Sequence, residues 1–542
     1  QIAASLGLPE DRVRVIQTKV GGAFGGKEDI AGQIHVALLA KITGRPVKLV
    51  YTREESMIAH PKRHACVIRL KTGAKEDGTL TAVEARILGD SGAYASLGPY
   101  VMTRAATHSL GPYAVPNAKV DCYAMYTNNP PAGAYRGFGA PQAHFAAESQ
   151  MDILSEQLGI PPLELRRKNA LRVGSVTTTG QKLRESVGLM ETIDRVEQAM
   201  REVAPSGATA PGKKRGWGVA CAYKNVGLGG GVADSAGVEV ELLDDARAHV
   251  RAGAAEVGQG IVMVLAQIVA EELGVQYHKI DVLVGDTDLT PDGGATTASR
   301  QSYISGNAAR LAARRLREVL SRSAGEELDV SPDSLKFEAG QITRTHGKTM
   351  PLEEAIRLAK AEGHSLVASE IYTPPKTVPL GEQGDKHFAY GYATQAAEVE
   401  VDITSGDVKV LRVIAAHDVG STVSPVGVEG QLEGGVVMGL GFALMEDFTM
   451  EEGVPQKTTL TKYRIPTARH MPELMPIMVE DPTADGPYGA KGVGEITSIP
   501  TAPAIANAIY DAVGVRLLSL PATPEKILKG LEDIENEGGR TV

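Results

Sequence analysis

The sequence is poor in the residues that staple a chain or hold a metal. Among its 542 residues there are only three cysteines, Cys66, Cys122 and Cys221, each isolated. Three scattered thiols exclude a disulfide framework and suit a reducing cytoplasm. They also exclude an iron–sulfur cluster or a cysteine zinc site within the chain, because each needs clustered thiolates. No basic stripe interrupts a net charge of -10, so nucleic acid is not an expected partner. No apolar run reaches the length of a membrane span. No signal-peptide pattern is present. The chain opens at Gln1 inside an apparent helix, IAASLGL, so the expectation is either a companion chain that supplies a further N-terminal part or a truncated sequence.

What the sequence does have is glycine. Aromatic residues make up 4% of the chain while glycines number 61, a balance that could mean low complexity. Here the glycines fall in short separate clusters, where backbone can approach backbone or a ligand. The length predicts more than one domain and a large core. The stretch Ala204–Lys214, APSGATAPGKK, breaks the pattern. It predicts a first domain over residues 1–203, a linker over 204–214 and a second domain over 215–542.

Both halves mix strands and helices. Cys66–Lys71 and Leu80–Leu88 read as strands around the turn at Glu76-Asp77-Gly78, and Glu398–Ile403 and Val408–Val413 as a hairpin. Phe145–Leu158 reads as a helix stopped by Gly159 and Pro161. Leu265, Ile268, Val269 and Leu273 share one helical face, and Asn307–Leu320 is a helix with an arginine-rich outer side.

Six segments carry the chemistry. GGAFGGKE spans residues 21–28, AYRGFGAPQ 134–142, EVGQG 256–260, TTASRQ 296–301, GQLEGG 430–435 and GAKGVGE 489–495. Singly, each reads as readily as a structural turn. An Arg among glycines ahead of a helix can instead grip an anion, as Arg136 would. The hydroxyls and amides of TTASRQ suit phosphate. Glu495, straight after closely spaced glycines, could be a general base at a pocket wall. No G-x-G-x-x-G follows a strand with the downstream acid that a dinucleotide-binding fold needs.

Taken together and in this order, GGAFGGKE, AYRGFGAPQ, EVGQG, GQLEGG and GVGE resemble the molybdenum hydroxylase family, which includes xanthine dehydrogenase and aldehyde oxidase. The resemblance covers essentially the whole chain. It implies an elongated α+β fold of two cofactor-binding domains, with mixed sheets and packed helices. It implies a molybdenum–molybdopterin cofactor in its cytosine dinucleotide form, with a terminal sulfido or selenido ligand and no protein ligand to the metal. By position, Arg136, Gln259 and Gln431 match cofactor contacts. Phe24 and Gly25 would touch it through the backbone, and Ala298, Ser299, Arg300 and Gln301 match the loop at the pterin phosphate. Glu495 matches the base that takes the proton from the oxygen nucleophile, which comes from water and attacks an electron-poor carbon.

The resemblance also points to a substrate class. Glu28 and Arg104 match the charged pair that binds purines in xanthine dehydrogenases, and Phe138 the aromatic that stacks on the ring. A mutual Glu28–Arg104 salt bridge is the structural alternative. A second aromatic is expected in RGWGVACAY, where Cys221 falls, with Tyr223 nearby; this predicts a looser pocket for a purine or another N-heterocycle. Gly137 stands where carbon monoxide dehydrogenases carry a cysteine, so that activity is not expected. An aldehyde oxidoreductase is the enzymatic alternative, and a non-catalytic cofactor-binding assembly subunit the other; a base at Glu495 argues against the latter. With no cluster or flavin domain in the chain, separate iron–sulfur and FAD subunits are expected to carry the electrons away.

Overall fold

The computed structural model describes residues 1–204, 206–207, 209–344 and 347–538; the expected linker lies partly outside them, at 205 and 208. Three sheets organise the chain. In the first, Ala65–Ala74 pairs antiparallel with Leu80–Asp90, which runs parallel to Asn117–Met125. In the second, the strands follow the order Val367–Tyr372, Ala236–Leu242, Ala248–Ala252, Ile280–Val284. In the third, Ala389–Asp402 lies between Lys213–Val226 and Val408–Asp418, both antiparallel to it, and Glu473–Val479 adds on parallel. The fold is thus mixed α and β, as expected.

Helices cover these sheets because their apolar residues recur on one side. Leu265, Ile268, Val269 and Leu273 of the helix Ile261–Leu273 are all buried against the second sheet. The arginine-rich helix is longer than expected, Gln301–Leu328. Its first turns, Ser302 to Gly306, are poor helix formers. Burial of Tyr303 and Ile304 against Val226, Ala236 and Ala389 holds them helical. The helix expected over Phe145–Leu158 stops at Gly159, as its punctuation predicts, but begins earlier, at Ala140 after Gly139.

Glycine sets the third sheet's packing. A Cβ on Gly218 would stand 2.1 Å from the nitrogen of Ala508. The helix Thr501–Val513 can therefore lie flat on the strand Lys213–Val226. The helix Pro425–Leu444 uses the same device: a Cβ on Gly435 would meet the Thr497 hydroxyl at 2.2 Å. Both contacts clamp the segment that follows Glu495.

The helix Leu189–Glu202 precedes the expected boundary, yet Val196 and Ala199 pack with Val219, Ala396 and Ile414 of the third sheet. One core cluster joins Leu80, Met151 and Leu189 to Cys221, Tyr223 and Tyr390. A helix ahead of the composition break at 204–214 thus covers a sheet whose strands follow it. No helix among the described residues is long and apolar enough to cross a membrane.

Candidate active site

The six segments meet at one place. The Arg136 backbone N–H donates to the Phe24 carbonyl at 2.7 Å, which docks AYRGFG on GGAFGG. Gly25 lies at that contact with φ +102°, and a Cβ there would stand 2.7 Å from the Ala134 carbonyl carbon. Thr297 Oγ1 donates to Glu28 Oε1 at 2.7 Å, and the Ala255 N–H donates to Thr296 Oγ1 at 2.8 Å. TTASRQ therefore bridges the first loop and the third.

Arg136 is the buried tie. Its guanidinium donates to the Gly494 carbonyl, to the Gln431 carbonyl and Oε1 at 3.1 and 2.8 Å, and to Thr497 Oγ1 at 2.9 Å. It thereby joins AYRGFG to GQLEGG and to the Glu495 segment. Burial pushes its pKa down to about 10, against the pull of Glu495.

Glu495 is 9% exposed. Ser299 Oγ accepts from its backbone N–H at 3.1 Å and donates to its Oε2 at 3.2 Å. The Lys224 ammonium lies 3.4 Å from the same oxygen. Burial lowers the Lys224 pKa to about 8, with Glu495 raising it and Arg104 lowering it further.

The expected substrate pair is near but not joined. Glu28 bonds to Thr297, while Arg104 donates to the Leu228 carbonyl. The salt bridge considered as their structural alternative does not form. Water reaches Glu28, but protein surrounds its carboxyl on most sides. That desolvation, with the charges of Glu495 and Asp29 added, pushes it up to about 7. Arg104 is lowered by burial and held up by Glu495. Phe138 is half-buried at φ 47° against Val101, Met102 and Ala105.

Several expected cofactor contacts are engaged with the protein itself. Gln259 folds back, its Oε1 accepting from the Val257 N–H at 2.6 Å and its Nε2 donating to the Ala255 carbonyl at 2.7 Å. Arg300 is 1% exposed and bonds Asp234, Gly293, Ala295 and Ser235. Its guanidinium shapes the loop rather than facing the site. Gln301 bonds Ala295 and Thr296. Glu256, not singled out in the sequence, accepts from the N–H groups of Gly258, Gly260 and Val262 at the start of Ile261–Leu273.

One pocket expectation is corrected. Cys221 and Tyr223 do not line the site. Side chains alternate along a strand, and these two point into the core, where Cys221 is fully buried and Tyr223 donates to the Thr107 carbonyl at 2.9 Å. The other face, Ala222 and Lys224, turns to Glu495: Ala222 packs with Ile496 and Ile499. Lys224 thus occupies the wall where an aromatic gap was expected.

Residues 1–170 and 188–472 each match the molybdopterin cofactor-binding domain. A probable xanthine dehydrogenase subunit from Bacillus subtilis is 36% identical over 98% of this chain and 71% of its own length. The chain belongs to the molybdenum hydroxylase family. Like other molybdenum hydroxylases it is an oxidoreductase. It is also 50% identical, over 38% of its length and 48% of the relative's, to the nicotinate dehydrogenase large molybdopterin subunit of Eubacterium barkeri. The solved aldehyde oxidoreductase of Desulfovibrio gigas superposes with a TM-score of 0.85 at 32% identity, covering 98% of this chain and 56% of that one. The chain therefore spans little more than half of that enzyme.

The residues of this molybdenum hydroxylase fit a molybdenum held by its own pterin. No group of three or more His, Cys, Asp or Glu side chains among the described residues could hold a metal. Backbone donors are instead on offer: the N–H groups of Phe24, Gly25, Ala298 and Ser299 have no acceptor within the described protein. Ala298 and Ser299 both have positive φ, 50° and 51°. Successive backbone amides in such turns form concavities that suit anionic oxygens.

Proposed function

We propose that this chain hydroxylates a purine or related N-heterocycle, with Glu495 as the base and Glu28, Arg104 and Phe138 holding the ring. The observation that carries this reading is that Glu28 and Arg104 stand on separate segments, both sense the Glu495 charge, and do not neutralise each other. Poised near neutrality, the Glu28 carboxyl can donate to a ring nitrogen or accept from a ring N–H. Arg104 can stabilise negative charge that builds on the ring during attack. Glu495 takes the proton of the oxygen nucleophile through the carboxylate oxygen that Ser299 and Lys224 leave free.

Bound molybdenum–molybdopterin supplies the two-electron sink. The backbone donors at 24–25 and 298–299, with Arg136 and Gln431 behind them, would hold it, Gln259 would approach it from its folded-back loop, and Arg300 and Gln301 would shape the phosphate loop. The cofactor would be the cytosine dinucleotide form of the pterin, and the metal would carry a sulfido or selenido ligand. Electrons would leave to iron–sulfur and FAD groups on partner subunits. The chain's relatives include proteins named as subunits.

The native complex should be assayed with an artificial electron acceptor on hypoxanthine, xanthine, nicotinate and a simple aldehyde. Turnover of a heterocycle supports the reading. Turnover of aldehydes alone replaces it with an aldehyde oxidoreductase, as the similarity to the Desulfovibrio enzyme allows.

A further inference from the structure

We infer that Lys224 is the positioning residue for Glu495, fixing one carboxylate oxygen so that the other is presented to the proton it removes. This rests on Glu495 being the base. Lys224 lies on the strand Lys213–Val226, opposite Gly391, and is 3% exposed. Its ammonium has two partners, Asn225 Oδ1 at 2.7 Å and Glu495 Oε2 at 3.4 Å. The Ser299 hydroxyl binds that same Oε2. One hydrogen bond, from Ser299, and one ion pair, with Lys224, thus converge on Oε2, while no hydrogen bond among the described residues reaches Oε1; the carboxylate is oriented through one oxygen and the second is left available.

The charges around Lys224 make Glu495 its counter-ion. Arg104 faces it from the helix Gly98–Thr107, His108 from the turn after that helix, His144 from Ala140–Leu158 and His387 from the segment before Ala389. The three imidazoles are held neutral by burial, with His144 pushed down to about 4 and the other two well below their ordinary value. None of these groups is an anion. A buried ammonium without one is strongly disfavoured. Glu495 is thus the acidic group paired with Lys224 in this surrounding of cations and neutral imidazoles.

The test uses the holoenzyme complex and the variants Lys224→Met, Lys224→Arg and Glu495→Gln. In Lys224→Met the acid limb of the kcat/KM profile should move up by about one pH unit, with unchanged molybdenum content. Lys224→Arg should move it back. Thermal unfolding against pH is read as well. Lys224 binds its proton less tightly folded than unfolded, so the wild type should gain stability relative to Lys224→Met as pH rises from about 8 towards the ordinary 10.5. In Glu495→Gln that gain should begin at lower pH, because the carboxylate that holds the proton is gone. An active Glu495→Gln enzyme would overturn the base reading itself. An inactive Glu495→Gln with an unmoved limb in Lys224→Met overturns the role of Lys224 alone. Should Lys224→Met not fold, an unchanged pH window in Glu495→Gln overturns it.

Discussion

A Cβ on Gly492 would stand 1.6 Å from the carbonyl oxygen of Ser299. The two loops meet backbone to backbone, and the contact carries the Ser299 hydroxyl to Glu495, three residues beyond Gly492. Ser299 and Ala298 are both left-handed there, a conformation that costs a non-glycine residue about 1 kcal/mol or more. The surrounding contacts must hold that strain: the Ala298 carbonyl accepts from the Gly227 N–H at 2.9 Å, and buried Arg300 anchors the next residue.

Gly492→Ala should therefore separate the loops. A loss of about 1–3 kcal/mol is expected from the forced backbone shift, together with loss of turnover as Ser299 leaves Glu495. Unfolding curves of purified wild type and variant measure the first, and steady-state rates the second. A variant of wild-type stability would mean that the loops tolerate a methyl group here.

Glu495→Gln removes the proposed proton acceptor while keeping the shape. Molybdenum content should stay at the wild-type level and turnover fall by roughly 10²–10⁴-fold, the usual worth of a general base. Metal analysis and rates on one preparation separate loss of chemistry from loss of the cofactor.

Glu28 should impose a pH dependence. Its carboxyl is raised in the folded protein from 4.5 to about 7, chiefly by desolvation. A raised folded value means stability that is present below 4.5 and lost as pH rises through 7. Wild type should lose stability relative to Glu28→Gln across that window, modestly because water reaches the side chain. If Glu28 binds the ring, the same variant should raise KM for heterocycles and leave KM for aldehydes unchanged.

Lys491 and Asp418 form a fully buried ion pair at 2.5 Å just ahead of Glu495. Burial already pushes Asp418 up to about 6 despite the ammonium beside it. Lys491→Met should strand that carboxyl at a loss of about 3–5 kcal/mol, and adding Asp418→Asn should recover much of it. Denaturant midpoints of the two single variants and the double variant give the coupling directly.

The motifs were legible because their glycines are required wherever they sit: no other residue lets GGAFGG touch AYRGFG at Gly25, or the Glu495 loop touch Ser299 at Gly492. The helix end at Gly159 was legible for the related reason that a left-handed C-cap favours glycine, whereas the helix start at Gly139 lies ahead of the Phe145 that the sequence suggested. The start of Gln301–Leu328 was not, since burial of Tyr303 and Ile304 overrode weak local propensity. Nor could the roles of polar side chains be read in advance. Arg300 and Gln259 carry the donors that a cofactor wants, but which partners they find depends on neighbours far along the chain.

Lys224 marks the limit most clearly. Alternation along RGWGVACAYKN divides the residues into two faces, with Cys221 and Tyr223 on one and Ala222 and Lys224 on the other. It does not say which face meets the core and which meets Glu495. The pairing of that strand with Ala389–Asp402, and the helix Thr501–Val513 lying on its glycines, settle the question. A side chain's chemistry is local, but its partner is set by packing between segments hundreds of residues apart.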